Sequence, residues 1–340
     1  MAAFIYCALA LAATPVSAAG ADAVALTGPI STAELVSQVQ AYLDPDWSRT
    51  VADMSGPDAG LFRPLERNAV DFGYTKSIIW LRIRLRNETA DQGRWVLYFR
   101  ENFKQVFEVH VVHEDGRIET PLRQDVTTGF KTRPIAYPEL AAPLRIAPGE
   151  TATVLVRYWS EGASYLPLQI ETPTSFSAIA AKRTGKNFLY YGMILLLIVG
   201  ALVALAIFRQ KVFLAYVAYT TSMLVFVMHA DGVAFQHLWP GFPGFNSVAS
   251  MVAGSGLIIF GAIYARVFLK TAELHPYVDK MLLGVILVTL AVDAAALVYD
   301  TQQIKRFLVL LSLIALVSFT VAGAVAARRR FKEVRFFVLA

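Results

Sequence analysis

A row of arginines is the first feature of this chain that could bind a ligand. Arg82, Arg84 and Arg86 alternate with aliphatic residues in the segment 79–86. Successive side chains of a strand point to opposite faces, so the three arginines share one face. This face could hold an anionic ligand such as an acidic sugar. The favoured alternative is a solvated strand face that pairs with acidic residues on its neighbours.

Aromatic side chains in the same half of the chain could stack against sugar rings. The set comprises Trp80, Trp95, Tyr98, Phe99, Tyr158 and Trp159. Because aromatic residues are enriched in strands, most of them are expected in the core. We expect a ligand surface, where one exists, to use the following residues: Trp80, Arg82, Arg84, Tyr158 and Trp159.

His110 and His113 have a spacing that resembles a metal site. They lie in a β-branched segment, and residues three apart on a strand face opposite sides, so they cannot bind one metal ion. The sequence also lacks the motifs of zinc peptidases, serine hydrolases, P-loop proteins and dinucleotide-binding enzymes. We therefore expect no metal, no cofactor and no catalytic residue in this chain.

Two ionisable residues lie within long apolar segments of the second half. Asp293 is near the middle of one segment and His229 near the outer end of another. Ionisable side chains inside a membrane are costly and are often functional. One hypothesis pairs Asp293 with His229 as a switch. The favoured alternative is a carboxylate that accepts hydrogen bonds from neighbouring hydroxyls or from water.

The segment 231–246 is unusual because it has no basic residue and four aromatic residues besides histidine. It is either an interfacial aromatic belt or a structured lid that docks on the N-terminal half. As a lid, it would transmit a signal together with the ionisable residues within the spans. The candidate transmission residues are His229, Asp231, Gln236, His237, Trp239 and Asp293.

The apolar segments that carry these residues are long enough to cross a membrane as helices. At 56% hydrophobic residues, the chain is also too apolar for an ordinary soluble protein. Spans are predicted at 188–208, 212–230, 247–268, 281–299 and 304–327, with a sixth that starts near Val334. The fold class is thus an all-β ectodomain followed by a helical bundle with five full spans and the start of a sixth.

Loop charges predict the orientation of these spans. With the N-terminal half exported, the cytoplasmic loops hold ten lysines and arginines and the outer loops hold two. This asymmetry follows the positive-inside rule. Many of the basic residues lie in loops between spans, so the net charge of +5 does not indicate nucleic-acid binding.

The N-terminal half begins with a predicted signal peptide at residues 1–19, where an apolar run precedes Val16-Ser17-Ala18. The single cysteine, Cys7, lies inside it, so no disulfide is expected in the mature ectodomain. Strand-like runs bounded by turn residues predict an antiparallel sandwich. The runs are at 79–86, 94–99, 106–113, 151–159 and 166–171. The predicted domains are a sensor at 20–175, a linker at 176–187 and a transmembrane domain at 188–340.

Asp231-Gly232, followed by Phe235-Gln-His-Leu-Trp-Pro240, resembles the loop signature of the bacterial seven-transmembrane receptors with diverse intracellular signalling modules. The Trp80-Leu-Arg82 motif and the later Leu166-Pro-Leu168 resemble their type-2 extracellular domain. The resemblance covers residues 35–340 and implies a jelly-roll-like, carbohydrate-binding-type ectodomain before seven helices. It also implies a cytoplasmic output domain, which would lie beyond residue 340, so the helical unit is expected to be truncated.

These observations predict a receptor in the bacterial inner membrane with a periplasmic sensor domain. Its expected partners are the lipid bilayer and a small ligand, with a carbohydrate as one candidate; a homodimer is left open. The alternative is a transporter or envelope-assembly subunit whose ectodomain binds a substrate or a partner. A polar path through the spans would favour transport, and Asp293 alone does not make one.

Overall fold

The computed structural model describes residues 23–65, 70–296, 298–299 and 301–328. The predicted signal peptide and the predicted start of a sixth span near Val334 lie outside the described residues. Inside them, a sheet-rich N-terminal part precedes a helical C-terminal part.

The described N-terminal part contains ten strands and two short α-helices. The strands are β1 (Val24–Leu26), β2 (Gln40–Asp44), β3 (Arg63–Pro64), β4 (Ile78–Asn87), β5 (Arg94–Phe99), β6 (Val106–Val112), β7 (Ile118–Asp125), β8 (Ala141–Arg145), β9 (Thr151–Trp159) and β10 (Leu168–Glu171). The helices are α1 (Thr32–Val36) and α2 (Val51–Ser55). Each of the five runs predicted from the sequence is present as a strand, with small differences at the ends.

The strands form two sheets. In the larger one the order is β3-β2-β4-β9-β6-β7, and β1 adds to β4 as a parallel neighbour. In the smaller one the order is β10-β5-β8. All other pairs are antiparallel. In the larger sheet, Ile79 lies opposite Tyr158 and Trp80 opposite Arg157.

One buried cluster joins the two sheets. It takes Leu81 and Ile83 from β4, Val156 from β9, and Leu97 and Phe99 from β5, all at most 1% exposed. Burying each such side chain contributes about 1.5–3 kcal/mol. The cluster makes the N-terminal part a two-layer β-domain, and the finer jelly-roll topology stays a prediction.

The described C-terminal part is helical. Its helices are α3 (Pro173–Phe208), α4 (Lys211–Ala230), α5 (Val233–His237), α6 (Pro243–Phe268), α7 (Thr271–Leu274), α8 (Pro276–Ala295) and α9 (Thr301–Arg328). Helix α6 packs against α4, α8 and α9, while α3 packs against α4. Many leucines and valines of α3 and α9 are exposed, as expected of helices that face lipid.

Helix α3 connects the two parts without a break. Thr172 caps its N-terminus by accepting a hydrogen bond from the Ser175 amide, and Pro173 occupies the first turn. With 36 residues it is about 54 Å long, well beyond the ~30 Å hydrocarbon core. The segment 176–187, predicted as a linker, is the outer part of this helix. Phe176 packs there against Tyr98 and Tyr137 of the β-domain.

Four helices of the described ranges are long and apolar enough to cross a membrane, namely α3, α4, α6 and α9. Helix α8, predicted as a span at 281–299, carries Asp279, Lys280 and Asp293 and is not among them. Asp279 forms a two-point ion pair with Arg266 at 2.8 and 2.9 Å. The predicted number of five full spans therefore stays a prediction.

Candidate functional site

The five residues predicted to bind a ligand do not form one surface. Trp80 and Tyr158 are 0% exposed, and they lie on opposite faces of the larger sheet. Tyr158 belongs to the core between the sheets, whereas Trp80 is covered by Met54 and Phe62. Neither ring has a face on which a sugar could stack, which corrects the expected five-residue platform.

The arginine row does alternate as predicted, but its members have different environments. Arg84 is exposed, whereas Arg82 is half-buried. The Arg82 guanidinium donates to Gln40 Oε1 and to the Ala59 carbonyl, and it lies 4.4 Å from the centre of the Phe62 ring. Its donors are thus used within the domain, which supports the structural alternative for this residue.

Trp159 remains accessible and has an aromatic partner that the sequence analysis missed. Its ring lies 5.2 Å from that of Trp47, which is 41% exposed. Trp47 comes from the loop 45–50 between β2 and α2, and its Nε1 donates to the Lys76 carbonyl. A tryptophan in a loop of otherwise small and polar residues is the sequence signal that could have identified it.

The loop after α4 docks on the β-domain, as the lid hypothesis predicted. Its short helix α5 buries Phe235, which is 2% exposed, between the rings of Phe103 and Phe130 at 5.7 and 5.6 Å. The Phe130 amide donates to the Pro240 carbonyl at 2.9 Å. The Gln236 side chain donates to the Ala136 carbonyl at 3.4 Å. We call this contact the junction.

Gly232 allows the closest approach of the two parts. Its φ of 77° is the left-handed conformation that glycine adopts most readily. A Cβ atom here would lie 2.5 Å from the Pro138 carbonyl oxygen and 2.8 Å from the Cβ of Asn102. Asn102 Nδ2 donates to the His229 and Ala230 carbonyls at 2.8 and 2.7 Å. The end of a helix leaves carbonyls without intrahelical donors, and Asn102 supplies a donor to Ala230 and a further one to His229, whose carbonyl also accepts from the Gly232 amide.

Arg133 is the buried charge of the junction. Its guanidinium donates to the carbonyls of Asn102, Tyr137 and Pro138 at 2.6, 3.1 and 2.8 Å. It also lies 4.7 Å from the centre of the Phe130 ring and 5.5 Å from that of Phe235. Burial lowers the pKa of Arg133 to about 9, so the group is charged at neutral pH.

A second charged group lies beside α3. Glu139, which is 4% exposed, accepts a hydrogen bond from Tyr98 and forms an ion pair with Arg183 at 2.7 Å. Burial raises the pKa of the Glu139 carboxyl, while the Tyr98 hydrogen bond and Arg183 oppose that shift. Burial also raises the pKa of the Tyr98 hydroxyl. The pair ties the smaller sheet to the helix that continues into the membrane.

The remaining transmission candidates lie around the junction. Asp231 ends α4 and accepts a hydrogen bond from Tyr191 at 2.6 Å. The ring of Trp239 lies 6.2 Å from that of His229, and its Nε1 donates to Asn246 at 2.9 Å. The His237 ring lies 6.3 Å from that of Phe188 on α3.

Asp293 is separate from this group. It accepts a hydrogen bond from Ser255 of α6 at 2.6 Å, so the structure pairs it with a hydroxyl rather than with His229. The hypothesis of an Asp293–His229 pair is therefore corrected in favour of the hydroxyl alternative, because a hydroxyl of the neighbouring helix α6 donates to the carboxylate.

The start of α9 makes another contact with the β-domain. Lys305 Nζ forms an ion pair with Glu161 at 2.7 Å and donates to the Ser247 carbonyl at 2.9 Å. The Arg306 guanidinium lies 4.2 Å from the centre of the Tyr74 ring. The sequence analysis placed neither contact, because both join residues far apart in the chain.

Comparison with known proteins matches both parts of the chain. Residues 184–340 match the family model described as 7TM diverse intracellular signalling. Residues 36–172 match the model described as 7TMR-DISM extracellular 2. A search of curated proteins finds no match. Between the two matched regions lie residues 173–183, the first turns of α3, through which the β-domain continues into the helical part.

Proposed function

Because the chain belongs to the seven-transmembrane receptors with diverse intracellular signalling modules, we propose that it is a bacterial inner-membrane receptor whose periplasmic sensor domain binds a small ligand. Members of the family are multi-pass membrane receptors with an extracellular sensor, and the two matched domains are sensory rather than catalytic. Ligand binding would pass through the junction to the helices and then to a cytoplasmic output domain.

The ligand class that we propose is a carbohydrate held by Trp47 and Trp159. Two neighbouring indole rings, one of them 41% exposed, offer apolar faces on which a sugar ring can stack. The pair lies on the outer face of the larger sheet, where Trp159 lies next to Arg157 in β9. This proposal keeps Trp159 from the sequence-based set and replaces the buried rings with Trp47.

A short path connects this aromatic pair to the membrane helices. Trp159 Nε1 donates to the Thr75 carbonyl at 3.1 Å, and the Gln302 side chain of α9 donates to the same carbonyl at 3.5 Å. Tyr74, the preceding residue, contacts Arg306. A ligand that shifts Trp159 would therefore alter the contacts of α9.

The observation that carries the proposal is that the β-domain packs on the helices through buried, specific contacts. Asn102 donates to two carbonyls at the end of α4, Arg133 holds the β-domain carbonyls around it, and Phe235 is buried among rings of the β-domain. A tethered binding domain needs no such contacts. A receptor needs them, since a ligand shifts an equilibrium only through differential interaction with its states.

Orientation can be tested with single-cysteine variants in a Cys7→Ser background. In spheroplasts, a membrane-impermeant maleimide should label Glu114→Cys, on the β-domain surface, and should label Glu273→Cys only after lysis. Both positions are exposed, so reactivity reports the side of the membrane. Labelling of Glu273→Cys in intact spheroplasts would overturn the proposed topology.

Ligand binding and relay can be tested on the full chain in nanodiscs with a panel of neutral oligosaccharides. We expect at least one saccharide to bind, to lose affinity at least tenfold in Trp47→Ala, and to change hydrogen exchange at residues 302–306 of α9. Tyr165→Ala removes another exposed aromatic ring and should leave binding unchanged. Binding without any change at α9 or at the junction would refute the relay and leave a simple binding module.

A further inference from the structure

A cavity of about 320 Å³ lies where the β-domain, α3 and the α4–α5 connection meet. Its volume is at the lower end of the ~300–1,000 Å³ range of ligand pockets. Its walls come from the segment 136–139 before β8, from residues 183–188 of α3, and from Asp231 with residues 233–237. The cavity is distinct from the Trp47–Trp159 surface, which is formed by other elements.

The cavity wall contains more acidic side chains than arginine or lysine side chains. Glu139 is neutralised by Arg183 at 2.7 Å. Asp231 accepts one hydrogen bond, from Tyr191, and among the described residues it forms no ion pair. The wall therefore carries two carboxylates and one guanidinium, and the direct ion pair of that guanidinium is with Glu139.

The end of α4 adds to this negative potential. Asp231 is the C-cap residue of a 20-residue helix. The C-terminus of an α-helix carries the equivalent of roughly half a negative charge, which favours a cation nearby. The carboxylate and the helix dipole act in the same direction at this corner of the cavity.

Part of the wall fits an apolar group, beside the polar side chains of Thr184, Asn187 and Gln236. Val233 is 3% exposed and forms part of α5, and the ring of Phe188, 50% exposed, stands on α3 beside His237. Aromatic faces also attract cations. A ligand with one charged end and one apolar end would thus satisfy both parts of the wall.

We infer that this cavity binds a small organic monocation, with its ammonium group against Asp231 and its apolar part against Val233 and Phe188. Such a ligand would contact the β-domain, α3 and the loop of α5 at once and would hold the junction in the observed arrangement. The binding itself does not rest on the proposed receptor function, since it requires neither a periplasmic saccharide nor an output domain.

The test uses the full chain in nanodiscs, with 2-phenylethylammonium as the probe and the uncharged 2-phenylethanol as its matched control. Isothermal titration should give binding of the cation and at least tenfold weaker binding of the alcohol. Asp231→Asn keeps the size of the side chain and removes the charge, so affinity for the cation should fall at least tenfold. Asp115→Asn, on the exposed surface of the β-domain, should leave the affinity unchanged.

A second variant guards against misfolding of Asp231→Asn. Asn187→Trp fills the cavity from a half-exposed position of α3 and keeps the carboxylate. Loss of cation binding in this variant, with an unchanged midpoint of thermal unfolding, would support the site. Equal affinity of the cation for the parent chain and for either cavity variant would overturn the inference, as would an absence of binding to the parent chain at millimolar concentration.

Discussion

Replacing Arg133 by methionine is the sharpest test of the junction. Methionine is shorter but fills a comparable volume and has no charge and no donor, so the carbonyls of Asn102, Tyr137 and Pro138 lose their shared partner. The two ring contacts of the guanidinium are lost as well. The change removes polar contacts while it leaves most of the packing volume in place.

The expected magnitude follows from the number of bonds. Each hydrogen bond to a charged group contributes about 1.5–3 kcal/mol, and a buried carbonyl left without a donor costs about 1–3 kcal/mol. Relief of the desolvation of a buried guanidinium offsets part of this sum. These bonds lie within the β-domain, so we expect a net loss of about 2–4 kcal/mol in the stability of the segment 130–138, which is roughly a 30- to 1,000-fold change in the equilibrium for its local opening. This segment forms the β-domain side of the junction, and Arg133 itself crosses the junction only through the Phe235 ring.

Hydrogen exchange on the full chain measures this opening locally. The Phe130 amide, which donates to the Pro240 carbonyl, should lose protection by the same factor, together with residues 233–237. Arg123→Met is the control, because Arg123 is 71% exposed and lies away from the junction. Unchanged protection of Phe130 in Arg133→Met would refute the argument that this arginine holds the β-domain side of the junction in place.

Three other perturbations probe further contacts between the β-domain and the helices. Gly232→Ala should lower the thermal stability of the chain more than Gly73→Ala, since both glycines have positive φ but only Gly232 has atoms within 3 Å of the new Cβ; the left-handed conformation alone costs about 1–2 kcal/mol. A double-mutant cycle on Glu161→Gln and Lys305→Met should give a coupling energy of about 1 kcal/mol that decreases with salt, measured by thermal unfolding. For Glu139, a raised pKa in the folded state means that stability falls as pH rises from the ordinary carboxyl pKa to the raised one. Glu139→Gln should flatten that part of the pH–stability curve.

Each of these expectations has a contrary result. Equal destabilisation by the two glycine substitutions would mean that the Pro138 carbonyl can move away freely. A coupling energy of zero would mean that the ion pair between Lys305 and Glu161 does not contribute to stability. A pH–stability curve that is the same in the parent chain and in Glu139→Gln would show that Arg183 compensates the buried carboxylate completely.

Local patterns in the sequence predicted the main elements because those patterns act within a few residues. Alternation over 79–86 predicted β4, and the apolar runs predicted the long helices. The same alternation places Tyr158 and Trp159 on opposite sides of the sheet, since neighbours on a strand face opposite sides. The predicted five-residue ligand surface included both residues and was therefore inconsistent with this rule. The burial of Trp80 could not be predicted from alternation, because only the fold brings α2 and the loop after it over the outer face of β4.

The sequence by itself determined a β-rich domain followed by apolar helices, the direction in which the chain crosses the membrane, and the family. These properties depend on composition, periodicity and short motifs. Only the tertiary structure decided that Arg133 meets Phe235, that Lys305 meets Glu161 and that Asp231 borders a cavity. Each of these contacts joins residues that are dozens of positions apart or more, and their energy depends on distance in space, which no pattern along the chain encodes.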